Sequence, residues 1–323
     1  MSEQRKSEFE MIEQPERGGL KDGLHFGYVD VPEKITCEQR AFLNELTANS
    51  LVLQKEIRTE RIDVKTADIV IPTSYGEIKA RVYMPGGDAR LPLVMNYHGG
   101  GFAIRDIECF DYLSRKYTKD APAVVVTIDY DLAPEKRFPT QAEEAYEALL
   151  FAREHAAEYG ADPERDVVTG DSAGGNLSAV VSQMCRDRGV RVPKRQILAY
   201  PVVDARPEVV RESDGLYGVG YNLDYRHLLS YNRAYIAKAE DALNPYVSPL
   251  LAKSMVGLPA CRMISAQCDI LLDSGMEYAK RLKDAGVDVD YRIYKGMPHD
   301  FLFYGFPESY DAYRQICAWI REV

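Results

Sequence analysis

A chain of 323 residues, 46% hydrophobic and 28% charged, is long enough to bury a substantial core and has the composition of an ordinary soluble globular protein. Its net charge of −10, with no basic run and no apolar stretch of membrane-spanning length, speaks against nucleic-acid and membrane partners. The polar start from Met1 to Glu8 suggests no secretory signal and hence a cytoplasmic location, and the six scattered cysteines lack metal-ligand spacing, so they read as free thiols and no metal is expected.

Residues 1–60 carry helical patterns broken by Gly18-Gly19 and Gly23, with no strand signal. Residues 35–54 suggest amphipathic helices, and the whole stretch is expected to be a helical cap segment too short for its own core. The catalytic domain is expected over residues 61–323. It opens with a hairpin, Asp68 to Pro72 and Glu77 to Tyr83 around Ser74-Tyr75-Gly76. A buried strand, Leu93 to Tyr97, precedes a helix from about Ile107 to Asp120, and the apolar run Ala123 to Ile128 reads as a strand covered on both faces. Thr140-Gln141-Ala142-Glu143 reads as a capping box opening a helix with Ala145, Leu149, Ala152 and Ala156 on one face.

Asp166 to Thr169 and Gln196 to Tyr200 are further strands, flanking a helix that starts near Leu177. From about 204 to 249 the alternation is interrupted by a tyrosine-rich stretch (Tyr217, Tyr221, Tyr225, Tyr231, Tyr235), expected to be a cap insertion over the strand ends. Strands Cys261 to Ala266 and Val287 to Tyr294 follow, each with a helix after it, and Trp319 in the last helix reads as core. Repeated strand–helix alternation implies an α/β class with a mainly parallel sheet and helices on both faces.

Two motifs carry chemistry. Gly170-Asp171-Ser172-Ala173-Gly174 lies where a strand turns into a helix, the arrangement that presents a serine Oγ at the carboxyl edge of a sheet. His98-Gly99-Gly100-Gly101-Phe102 follows the Leu93–Tyr97 strand, and its glycines allow backbone N–H groups to turn toward a developing oxyanion. A serine nucleophile needs a base and usually a carboxylate to orient it. Of five histidines, His299 alone sits just beyond the last strand, and it gives the chain order serine, acid, histidine. Two acids follow the preceding strand. Asp269 comes directly off the strand end and is the better placed; Asp273 stands one residue before the apparent capping box Ser274 to Glu277.

From about residue 66 onward the chain resembles the bacterial hormone-sensitive lipase-like (family IV) esterases of the α/β-hydrolase superfamily. The resemblance rests on His98-Gly99-Gly100-Gly101-Phe102, Tyr130-Asp131-Leu132-Ala133-Pro134-Glu135, Gly170 to Gly175, Asp269-Ile270-Leu271-x-Asp273 and Gly296-Met297-x-His299-x-Phe301. It implies an α/β-hydrolase fold with a mostly parallel eight-stranded sheet and a helical cap. It implies Ser172 as nucleophile, Asp269 as orienting acid and His299 as base. The oxyanion hole is expected from Gly99, Gly100, Gly101 and Ala173, with Gly99 shaping the loop. Phe102, Tyr217 and Tyr221 are the expected substrate-binding residues. Ile270, Asp300 and Asp131 stand where this family usually has proline, glycine and arginine.

The function expected is a serine carboxylesterase acting on short-to-medium acyl esters through an acyl-enzyme, without metal or organic cofactor, with a small-molecule ester as its partner and a homo-oligomer left open. Two other readings remain at this point. One is a deacetylase, lactonase or amidase on the same triad; the other is a non-catalytic small-molecule receptor.

Overall fold

The computed structural model describes residues 10–12, 40, 44, 62–87 and 90–323. A nine-stranded sheet runs through it. In chain order its strands are β1 (Glu10–Ile12), β2 (Lys65–Thr73), β3 (Gly76–Met84), β4 (Leu91–Tyr97), β5 (Val124–Asp129), β6 (Ala161–Asp171), β7 (Arg195–Ala199), β8 (Ala260–Cys268) and β9 (Val289–Pro298). Across the sheet they lie in the order β1-β9-β8-β7-β6-β4-β5-β3-β2. Strands β4 to β9 are parallel, and β3 is antiparallel to both neighbours. The eight strands from β2 onward are the expected sheet. The three residues of β1, in a stretch where no strand was expected, add a parallel edge beside β9, pairing Glu10 with Arg292 and Ile12 with Tyr294.

Among the fully described stretches, seven helices accompany the sheet: α1 (Ile107–Asp120), α2 (Thr140–Glu154), α3 (Ala173–Asp187), α4 (Glu212–Tyr217), α5 (Tyr225–Tyr235), α6 (Leu272–Asp284) and α7 (Pro307–Arg321). The period-two alternation of the strands decides which helix packs where. Leu93, Met95 and Tyr97 of β4 pack with Ala145 and Leu149 of α2 and Leu177 and Val181 of α3. Val94, one residue out of phase, faces the other way with Phe110 of α1 and Ile316 and Trp319 of α7. Ala145, Leu149, Ala152 and Ala156 are all buried, as their spacing implies.

Both capping boxes read differently in space. Thr140 is already inside α2: a turn from Arg137 leads into the helix, and the Pro139 carbonyl takes the Glu143 N–H. Ser274 is likewise inside α6, its hydroxyl donating to the Leu271 carbonyl. The helix begins early because Asp269 accepts the Leu271 N–H on its side chain and the Leu272 N–H on its carbonyl, folding the chain over sooner.

The sheet also places the site. The chain leaves β4 for β5 on one side and returns to β6 on the other, and Tyr97 pairs with Gly170 at the carboxyl ends. The loops after β4 and β6 therefore emerge side by side, which is where open α/β sheets form their crevice. The expected cap segment 1–60 lies largely outside the described residues. Of it, Arg40 holds Glu135 at 2.6 Å and donates to the Ala103 carbonyl, and Asn44 accepts the Arg105 N–H at 2.6 Å.

Candidate active site

Ser172 sits between β6 and α3 at φ 53°, ψ −115°. Such a conformation costs on the order of 1–3 kcal/mol for a residue with a side chain. Three backbone hydrogen bonds offset it: Ser172 N–H to Ala199 O, and Asn176 N–H and Val202 N–H to Ser172 O. The turn also needs glycine on its far side, because a Cβ at Gly174 would overlap the Tyr97 carbonyl of the adjacent strand.

Opposite the hydroxyl, His299 Nε2 lies 3.0 Å from Ser172 Oγ, and its Nδ1 lies 2.7 Å from Asp269 Oδ2. The other Asp269 oxygen takes the Leu271 N–H at 2.9 Å, which fixes the carboxylate toward the imidazole. All three side chains are buried. Burial opposes charge on His299, but the carboxylates of Asp269 and then Asp300 outweigh it, so its pKa is raised above the ordinary histidine value. Asp273 is not part of this chain of contacts: its Oδ2 accepts the Ser213 N–H at 2.9 Å and so ties α4 to α6.

The glycine loop after β4 stands on a buried platform. Tyr130 stacks on His98 at 4.2 Å and donates its hydroxyl proton to the His98 carbonyl, and the Ala133 N–H reaches the Phe102 carbonyl. Burial pushes His98 down to about 4, so the ring is neutral. Gly99 donates its N–H to Asp171 Oδ1 at 3.0 Å, which commits it to holding the loop against the elbow and removes it from the expected oxyanion donors. Among the described residues, the N–H groups of Gly100, Gly101 and Ala173 meet no protein acceptor. Gly100 has φ 120°, and its carbonyl accepts from Ala103 and Ile104, which turns its peptide within the loop.

Of the expected substrate contacts, Phe102 is buried and Tyr217 and Tyr221 are half-buried. Phe102 is 3% exposed and stacks at 3.7 Å on Tyr235 of α5, so its ring supports the loop from within the core. Its left-handed backbone, φ 62°, turns the ring inward. Tyr217 and Tyr221 meet edge-to-face at 5.3 Å, with Tyr217 packed against the cluster of Val202, Leu223, Ile270 and Leu271. The tyrosine that reaches the glycine loop is Tyr231, whose ring occupies the space a Cβ on Gly101 would take. Its spacing from Tyr235, one helical turn, was the available signal.

Three more residues were not singled out by sequence. Tyr200 meets the His299 ring edge-on at 4.9 Å, the Asn222 side chain donates to the His299 carbonyl at 3.0 Å, and Arg105 pairs with Asp300 at 2.6 Å. All six left-handed non-glycine residues among those described, namely Phe102, Arg105, Ser172, Tyr200, Asn222 and Asp300, belong to this one region. Backbone strain concentrated in this way marks a site held in place by its surroundings.

Residues 94–303 match the family model described as alpha/beta hydrolase fold. The chain belongs to the α/β-hydrolase family. Its relatives are carboxylic ester hydrolases, so the hormone-sensitive lipase-like resemblance read from the motifs holds. The hydrolase is 43% identical to the carboxylic ester hydrolase LipN of Mycobacterium tuberculosis over 75% of this chain and 65% of that protein. It thus spans just under two thirds of the length of LipN. It is 35% identical to an ethyl acetate hydrolase of Pseudomonas putida, over 74% of this chain and 76% of that one. The hyperthermophilic esterase of the archaeon Pyrobaculum calidifontis superposes with a TM-score of 0.84 at 36% identity, covering 91% of this chain and 93% of its own. Among the described residues no helix is long and apolar enough to cross a membrane.

Proposed function

We propose that this hydrolase is a serine carboxylesterase that cleaves short-to-medium acyl esters through an acyl-enzyme. The observation that carries the reading is the continuous contact from Ser172 Oγ to His299 Nε2 at 3.0 Å and from Nδ1 to Asp269 at 2.7 Å. Neutral His299 takes the Ser172 proton as Oγ attacks the ester carbonyl carbon, and Asp269 holds the imidazole in the required tautomer and offsets its charge. The oxyanion that forms accepts from the N–H groups of Gly100, Gly101 and Ala173, with the positive end of α3 behind Ala173. The carbon–oxygen bond to the alcohol then breaks, and His299 passes its proton to the leaving oxygen. A water, deprotonated by the same imidazole, attacks the acyl carbon, and Ser172 recovers the proton as the acid departs. A relative named as an ethyl acetate hydrolase supports the short end of the acyl range.

The test is a p-nitrophenyl ester series from acetate to laurate with the parent chain and Ser172→Ala. The parent is expected to turn over acetate to octanoate faster than laurate, and the variant to lose about 10³-fold or more in kcat while keeping its fold. Retained esterase activity in the variant would refute the mechanism. A parent inactive on every ester but active on acetylated sugars, lactones or amides would move the proposal to those substrates.

A further inference from the structure

The catalytic reading leaves a buried cation beside the triad, Arg105, unused. Arg105 is 5% exposed, on the loop that continues the glycine run, with φ 72° and its N–H held by Asn44. Its guanidinium lies near the Phe110 and Phe303 rings, at 5.9 and 5.6 Å, and reaches two carboxylates. One Nη is 2.6 Å from Asp300 Oδ2 and the other is 3.5 Å from Asp171 Oδ2. Each of these acids adjoins a catalytic side chain. Asp171 precedes Ser172, and its other oxygen holds the Gly99 N–H. Asp300 follows His299, and its free oxygen Oδ1 lies 3.8 Å from His299 Nε2.

One side chain thus touches the loops that carry the oxyanion donors, the serine and the base. Asp300 occupies a left-handed position, φ 62°, where a residue with a Cβ costs about 1–2 kcal/mol relative to glycine. Its backbone therefore gains nothing from being aspartate; the carboxylate's partner is Arg105. A planar fork that bridges two acids is a geometry that lysine does not reproduce.

The charge matters as much as the geometry. The groups facing His299 are Asp269 from the end of β8, Asp171 and Ser172 from the end of β6, Tyr200 from the end of β7 and Asp300 from its own loop, while Arg105 from the loop after β4 meets it through Asp300 and Asp171. Burial holds the Tyr200 phenol, and the Tyr231 and Tyr304 phenols near Asp300, in the neutral form. The charges around the imidazole are therefore the carboxylates of Asp269 and Asp300, that of Asp171 once it ionises, and the Arg105 guanidinium paired with the last two.

We propose that Arg105 is a positioning residue of the ester hydrolysis, which clamps Asp300 and Asp171 so that the oxyanion loop, the serine elbow and the base loop stay in register, and whose charge keeps Asp300 ionised beside His299. The inference rests on the reading of Ser172, His299 and Asp269 as the triad. Burial opposes ionisation of Asp300 but Arg105 overcomes it, holding that carboxyl below the usual range, whereas burial drives Asp171 up to about 7 despite Arg105. Both acids, when ionised, favour the imidazolium, and Arg105 keeps Asp300 in that form.

The experiment is kcat/KM against pH for the full chain with p-nitrophenyl acetate, in the parent, Arg105→Met, Arg105→Lys and Asp300→Asn. The parent's turnover and its loss in Ser172→Ala test the triad separately. In Arg105→Met the acid limb is expected to move down by about one pH unit, because Asp300 and Asp171 lose the cation that favours their ionised forms and no longer hold a proton on His299 as firmly. The plateau kcat is expected to fall about 100-fold as the loops lose register. Arg105→Lys is expected to return the limb to the parent's position without restoring kcat, since charge is replaced but the fork is not. Asp300→Asn is expected to move the limb down. A residue with only a structural role would lower activity and leave the limb in place. An Arg105→Met limb that stays or rises overturns the proposal; should that variant fail to fold, an Asp300→Asn limb that stays or rises does so.

Discussion

The carboxyl edge of the sheet and the stretch between β7 and β8 hold their residues by different means. At the edge, backbone bonds do the fixing: Ser172 N–H to Ala199 O, Tyr200 N–H to Ile264 O, Val202 N–H to Ser172 O. In residues 204–249 side chains supply many of the ties, beside backbone bonds such as Phe138 N–H to Tyr235 O. Ser248 Oγ takes the Ala205 N–H and gives its proton to Ala242 O, Asn232 reaches Ala205 O, and Asn176 reaches in from α3 to Val202 O and Val247 O. Buried Asp204 sits between Arg206 and Arg211. A backbone lattice persists through most single substitutions, whereas a side-chain tether disappears with its residue. The chemistry therefore stands on the part that substitution deforms least, and the cover on the part that substitution adjusts most easily.

The largest test of that contrast is a change that alters chemistry without touching the lattice. Asp269→Asn keeps an oxygen for the Leu271 N–H but presents the wrong group to His299 Nδ1, so kcat is expected to fall on the order of 10⁴-fold with the melting temperature little changed. Equal losses of kcat and stability would show that the acid is a structural prop. Asp273→Ala is the counterpart in the cover. It leaves the buried Ser213 N–H without its acceptor, at an expected cost of about 1–3 kcal/mol in a denaturant titration. It is expected to change KM more than kcat; a fall in kcat as large as that of Asp269→Asn would break the comparison.

The same division explains what the sequence made legible. Gly170-x-Ser172-x-Gly174 and the glycine run are local patterns with steric causes, and His299 and Asp269 follow from where strands end. Sheet, serine, acid and base could therefore be placed from short windows. The pair Arg105–Asp300 spans 195 residues: Asp300 stood out beside His299 as a departure from the family pattern, but Arg105 carries no local signature. Tyr200 and Asn222 reach the His299 loop only because β7 and the following stretch are folded back upon it. Ser274 was misread for the opposite reason: its local signature was real, but Asp269 starts the helix earlier. The three residues of β1 are strand through their pairing with β9, which no periodicity over so short a run could announce.

Asn222 is where the two regions meet, and it gives the smallest and most informative effect. Its side-chain N–H donates to the His299 carbonyl at 3.0 Å, a contact by which residues 204–249, the cover, touch the base loop directly. Its own backbone is left-handed, φ 74°, which asparagine tolerates and alanine does not. Asn222→Gly keeps that conformation and removes the hydrogen bond alone, while Asn222→Ala adds backbone strain of about 1 kcal/mol. The glycine variant is expected to lose a few-fold in kcat/KM, roughly what one hydrogen bond of about 1 kcal/mol supplies. Because the group lost is a neutral amide on a carbonyl, the acid limb is expected to stay at the parent's pH, unlike that of Asp300→Asn. Alanine is expected to lower the melting temperature further without a second loss in the limb's position. If the glycine variant instead shifts the limb, the cover governs the electrostatics of His299 and not only its position, and the separation between lattice and tether does not hold at the base.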